Sequence, residues 1–182
     1  MKNLGATAMV TERRDREKAA EIVRDAGGQV VGRTKLQKVA YLLELAGFGA
    51  GFKFEYRHYG PFSEDLANAI RLADAFGLVT ETERVANWGG CYSIYSATAD
   101  AGARVEGPRS TFCERAAKID PVELELAATA AFLNVVEGCK DPWEETARRK
   151  PEKVGGRRIE RAKEAYRNLL ALETARPLPK IV

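Results

Sequence analysis

The sequence predicts a mainly helical fold with a small β-sheet, and two observations carry that expectation. Apolar residues recur at helical spacing in stretches spread along the whole chain, many of them opened by a capping residue and closed by glycine. Between them only short runs alternate or show high β propensity: Phe52–Arg57, Leu78–Thr82 and Cys91–Ser96.

Taken in order, Met1 to Val10 shows no periodic pattern and is expected to be a disordered tail. It lacks the basic-then-apolar pattern of a signal peptide, so export is not expected. Glu12 to Ala26 is dense in charge, with Ala19, Ile22, Val23 and Ala26 on one helical face, and Gly27-Gly28 ends it. Thr34 is expected to cap the next helix, whose apolar positions are Leu36, Val39, Ala40, Leu42, Leu43 and Ala46, with Gly47 at its end. The glycines of Gly47–Gly51 read as a flexible connector, since no phosphate-loop ending follows them. Phe52 to Arg57 alternates as a half-buried strand, broken by Gly60-Pro61. Ser63 caps a further helix with Glu64 and Asp65 in its first turn and Leu66, Ala69, Ile70, Ala73 and Phe76 inside; Gly77 stops it. Leu78–Thr82, a turn over Glu83–Gly90, and Cys91–Ser96 make a hairpin, after which Thr98 caps another helical start. Helix, helix, strand, helix, strand, turn, strand is the order of a winged helix-turn-helix domain, placed here over residues 11–105.

A helical extension packed on that core is expected over residues 106–175. Arg109–Ile119 is a short helix, and Asp120-Pro121 opens an all-round apolar one that runs to Gly138 and should be deeply buried. Asp141-Pro142 starts a third, ended by Lys150-Pro151. The last, Arg157 to Glu173, carries a stripe of Ile159, Ala162, Tyr166, Leu169 and Leu170. Residues 176–182 read as a second tail.

Three strings carry a resemblance to a known group. They are Thr34-Lys35-Leu36-Gln37-Lys38-Val39-Ala40-Tyr41-Leu42-Leu43, Tyr59-Gly60-Pro61-Phe62-Ser63-Glu64-Asp65-Leu66 and Ala147-Arg148-Arg149-Lys150-Pro151. The stretch from residue 30 to 80 resembles the YwgA-like and Panacea (SocA-like antitoxin) domains of bacteria. The YwgA-like members have no well-defined activity, whereas Panacea domains are associated with toxin neutralisation. What the resemblance implies is therefore a non-catalytic module with a protein partner, of the toxin kind if the antitoxin role carries over.

Composition bounds the remaining classes. With 45% hydrophobic and 30% charged residues the chain is an ordinary globular sequence. It contains no apolar run long enough for a bilayer, so no membrane association is expected. Cys91, Cys113 and Cys139 are odd in number and widely spaced, which points to reduced thiols in the cytoplasm. No cofactor or metal is expected, because the only histidine, His58, has no cysteine or carboxylate company at ligand spacing. His58 reads as a residue that fixes the turn before Ser63, with Tyr59, Pro61 and Phe62 anchoring that turn on the core; the alternative is a nucleophilic pair with Ser63 or a distant cysteine.

The helix after the turn decides between two functional classes. Its outward residues are Glu64, Asp65, Asn68, Arg71 and Asp74, three acids against one arginine, which would repel the phosphates that dominate DNA affinity. This acidic face, with Trp88 on the hairpin turn, is the expected surface for a protein partner; Trp88 is either an exposed anchor or folded back on the hairpin. The other class is a transcription regulator that binds DNA. Two basic groups, Arg33, Lys35 and Lys38 and then Arg157 and Arg161 with their neighbours, would form a nucleic-acid patch if the fold brought them together. The second belongs to a basic surplus: from Arg148 to Val182 eleven Lys and Arg face four Glu.

Overall fold

The computed structural model describes residues 4–87 and 89–182; Met1 to Asn3 and Trp88 lie outside the described residues, the tail's first three positions and one expected anchor among them. Helix α1 (Leu4–Asp25) starts well before Glu12, so the tail expected over Met1–Val10 is helical from Leu4. Its buried face is the expected one: Ala19, Ile22 and Val23 are each 2% exposed or less. Strand β1 (Gln29–Val31) follows the two glycines, with only Val30 pointing inward.

Helix α2 (Arg33–Leu45) begins one residue before Thr34, and Gly32, at φ 100°, takes the capping position without a side-chain bond. It is buried continuously from Leu36 to Leu43, including Gln37 and Lys38. The chain after it is not a loose connector. Glu44 Oε1 accepts the backbone N–H groups of Ala50, Gly51 and Phe52 at 2.9, 2.8 and 3.0 Å, so a carboxylate folds the glycine-rich turn around itself.

Gly60-Pro61 does not end the extended chain but returns it. β2 (Glu55–Arg57) pairs antiparallel with β3 (Gly60–Phe62), in the register Glu55↔Phe62. Helix α3 (Glu64–Ala75) then starts as expected, with Ser63 Oγ accepting the N–H of Leu66 at 3.2 Å. Phe76 is not on its inner face. It lies past the last helical residue, 59% exposed, with the Arg16 guanidinium 3.7 Å from its ring centroid.

β4 (Val79–Val85) runs beyond the expected Thr82 and pairs with β5 (Cys91–Ala97) along its full length. With β1 they form an antiparallel sheet in the order β1-β5-β4. Val30 lies opposite Tyr95 and Glu81 lies on the other side of Tyr95, so these three share one face of the sheet. Thr98 Oγ1 accepts the N–H of Asp100, but the helical start it caps is a single 3-10 turn, Ala99–Ala101.

The second half is four helices: α4 (Pro108–Ala117), α5 (Pro121–Val135), α6 (Pro142–Arg149) and α7 (Arg158–Leu170). Asp120 and Asp141 cap α5 and α6 through their side chains. α5 is buried at every position from Leu124 to Leu133, as its all-round apolar sequence requires. Ala19 and Leu42 of the first half and Leu126 and Tyr166 of the second belong to one hydrophobic cluster. An ion pair between Arg109 of α4 and the buried Asp25 of α1 adds a polar tie between the halves.

The expected tail over residues 176–182 is instead docked. Arg176 N–H donates to Ala46 O at 2.9 Å, Tyr166 Oη–H to Pro179 O at 2.9 Å, and Trp143 Nε1–H to Ile181 O at 2.6 Å. Leu178 is 4% exposed, so an apolar side chain holds this proline-rich segment down. Among the described residues no helix is long and apolar enough to cross a membrane.

Candidate functional site

The three strings that carried the family resemblance meet under one turn, the β2–β3 hairpin. Gln37 of α2 receives the N–H of Ser63 on its side-chain oxygen at 2.7 Å and donates its amide to Ser63 O at 2.9 Å. A glutamine is thereby used as one more rung of backbone pairing. Lys38 Nζ donates to Pro61 O at 2.8 Å. From the third string, Lys150 Nζ donates to His58 O at 2.9 Å and pairs with Glu125 of α5 at 2.7 Å. Lys153 joins the same Glu125 oxygen at 2.6 Å and lies 4.7 Å from the Tyr59 ring centroid. Lys38 and Lys150 are each 1% exposed. Lysines are almost never buried unless paired, and here backbone carbonyls of one turn and a single carboxylate are their partners.

This junction explains the pairing of Lys-Leu-Gln-Lys with Tyr-Gly-Pro in chemical terms. Gly60 has φ 82°, and a Cβ added there would overlap Thr129 Oγ1 of α5. The amine of Lys38 is pushed down to about 7, first by burial and then by the neighbouring Lys150 and Lys153, against the pull of Glu125. Its Nζ–H is spent on Pro61 O, which clamps the turn onto α2. Ser63 is fully buried and its Oγ is occupied as the cap of α3, so it offers no partner to the exposed His58. Tyr59 is 52% exposed and so does not anchor the turn on the core as expected.

α3 separates two concavities. On the α1 side a trough of about 430 Å³ is lined by three acids, Glu12, Asp15 and Asp65, together with Asn68 and Arg71. Of the expected partner-binding set, Asp65 and Asn68 face this trough, and Glu64 is exposed but pairs with Arg57 at 3.1 Å. Asp74 is not free for a partner. Its Oδ1 accepts the N–H of Glu81 at 2.7 Å and so holds the entry to β4. Glu12 and Asp15 were absent from the expected set because they depend on how α1 packs against α3; Asp15 lies 3.8 Å from Lys18.

On the other side, between α2, α3 and the sheet, lies a cleft of about 540 Å³. Its walls are Leu36, Phe62, Ala67 and Ile70, and Arg33, Arg71, Glu81 and Tyr95 stand around them. Arg33 is tied to Glu81 at 2.8 Å and Glu83 at 3.1 Å, which raises its already high pKa, the hydrogen bond to Glu81 first. Burial, with Glu81 adding to it, pushes the Tyr95 phenol up to about 12.

Most of the basic residues expected in a nucleic-acid patch have partners within the fold. Lys38 is buried, Lys35 Nζ is occupied by Ala117 O at 2.9 Å, and Arg33 is paired across to β4. Arg161 is held by Glu123 and by Gly156 O, while Arg157 stays exposed at the start of α7. Much of the C-terminal basic surplus is likewise matched, as with Arg149, whose guanidinium bridges Glu137 and Glu145 at 2.6 Å each.

No family model matches the chain, and no solved structure matches it. Among curated proteins it is similar to the uncharacterized protein YwgA of Bacillus subtilis (strain 168), 28% identical over 117 residues that cover 60% of this chain and 69% of the relative. That relative brings no activity with it. What it supports is the YwgA-like grouping expected from Thr34–Leu43 and Tyr59–Leu66, the two strings that close on each other through Gln37 and Lys38.

Proposed function

We propose that the protein is a non-catalytic cytoplasmic interaction module, with a winged-helix-like half that docks a basic segment of a protein partner. The fold reading is supported by the order α1, β1, α2, α3, β4, β5 and by the sheet order β1-β5-β4, with the β2–β3 hairpin inserted where a short turn joins the two central helices of such domains. The functional reading rests on one observation. The helix that would enter a DNA groove carries Asp65 into a trough that α1 deepens with two further acids, Glu12 and Asp15. A surface of that charge repels phosphate and attracts lysine and arginine. The resemblance to antitoxin-type domains makes a toxin the partner class to look for first.

The test compares the wild type with a Glu12→Lys, Asp15→Lys, Asp65→Lys variant, each captured from the producing cells and quantified by mass spectrometry. A protein enriched with the wild type and lost from the variant is expected. Equal recovery from both would refute the trough as the docking surface. Nanomolar binding to one operator, abolished by Asn68→Ala and Arg71→Ala, would instead establish the DNA-binding regulator.

A further inference from the structure

We infer that the cleft between α2, α3 and the sheet is a binding site for a small apolar carboxylate, an aryl- or alkyl-chain acid, with Arg71 as the residue that receives its charge. Three independent observations carry this. The cleft volume of about 540 Å³ falls within the range of small-molecule sites, about 300–1,000 Å³. Its walls Leu36, Phe62 and Ile70 are apolar and two of them, Leu36 and Ile70, are fixed in the core at 2% and 4% exposure, so the apolar floor is rigid. The cations around it are unequal in a way that names the ligand's charge.

Arg33 already has two carboxylates, and Lys38 has the Pro61 carbonyl. Arg71 has neither. Among the described residues its guanidinium donates to the neutral amide oxygen of Asn68 at 3.0 Å, and no carboxylate comes within ion-pair distance. Glu12, Asp15 and Asp65 share the trough with Arg71, but none of them pairs with its guanidinium. The guanidinium is exposed, lines both concavities, and presents donors in the planar fork that matches a carboxylate. Glu81, the one acid lining the cleft, is engaged by Arg33 and by the Tyr95 hydroxyl, so it does not cancel Arg71. An apolar body in the cleft with its acid group at the α3 rim would meet the one cleft-lining arginine that has no carboxylate within ion-pair distance among the described residues.

The test titrates the full chain with 4-phenylbutyrate and with its charge-reversed counterpart 4-phenylbutylamine, following backbone amide shifts by NMR. Saturable binding of the acid at millimolar strength or better is expected, with shifts centred on Phe62, Ala67 and Ile70. The amine should bind at least about tenfold more weakly. Arg71→Gln should weaken the acid about tenfold without altering Tm. Ala67→Trp, which fills the cleft from its half-buried rim, should abolish binding while the trough's amides stay in place. Equal affinity for acid and amine would overturn the inference. So would full affinity in Arg71→Gln, or an absence of shifts at millimolar acid.

Discussion

Replacing the buried Lys38 by methionine should change stability in a direction that depends on pH. Burial takes the amine from its ordinary 10.5 to about 7, with Glu125 favouring the charged form and Lys150 and Lys153 opposing it. At about 1.4 kcal/mol per pH unit, carrying that charge costs the folded state about 5 kcal/mol at low pH. The folded pKa lies below the unfolded one, so between about 7 and 10.5 the unfolded chain binds the extra proton and stability rises with pH. The penalty is fully present below 7 and has fallen to about 2 kcal/mol by pH 9. Methionine has a similar unbranched stem and no charge, but it strips Pro61 O of its donor, costing about 1–3 kcal/mol at any pH. The expected result is a variant more stable than wild type by about 2–4 kcal/mol at pH 6 and nearly equal to it at pH 9. Urea unfolding of both proteins at the two pH values measures this, and taking the difference between them cancels the titrating groups that do not interact with Lys38. A difference that stays constant from pH 6 to pH 9 would refute the assignment of a low pKa to Lys38.

Three further outcomes follow from the same junction and its surroundings. Glu125→Ala should cost about 3–5 kcal/mol in urea unfolding, because Lys150 and Lys153 lose the carboxylate they share; a loss below about 1 kcal/mol would show the two amines reach other partners. Gly60→Ala meets Thr129 Oγ1 and a left-handed backbone together and should lower stability by more than about 2 kcal/mol, with Thr129→Ala recovering only the steric part. Ending the chain after Ala175 removes Leu178 and the acceptors of Tyr166 and Trp143, so Tm should drop and Trp143 fluorescence shift to the red; an unchanged spectrum would mean the segment does not cover that ring.

What could be read from the sequence was what depends on near neighbours. Ser63, Asp120 and Asp141 each accept N–H groups two or three residues ahead, so the caps of α3, α5 and α6 were visible as residue type before apolar periodicity. β1 was not, since one buried valine in three residues gives no period and its partner is β5, far along the chain. Lys38 reads as solvated surface in the sequence, and only the β2–β3 hairpin, with Glu125 of α5 close by, shows it to be buried. The same limit applied to function. Asp65 and Asn68 were legible as outward residues of α3, while Asp74 looked equally free, and only the turn through Gly77 brings Glu81 N–H onto it. Glu12 and Asp15 join the trough through packing of α1 that no spacing on α3 encodes.

The shared hydrophobic cluster has a consequence for how the chain is made. α2 is buried on all sides from Leu36 to Leu43, and one of those sides is supplied by α5, whose residues leave the ribosome some eighty positions later. At about 5–20 residues per second, the nascent N-terminal half waits on the order of 4–16 s before Phe132 of α5 can cover Tyr41. During that interval Lys38 and Gln37 can already close the β2–β3 turn, since both of their partners have emerged. The Lys38 clamp can therefore form during synthesis, before the second half of the chain completes the burial that lowers its pKa.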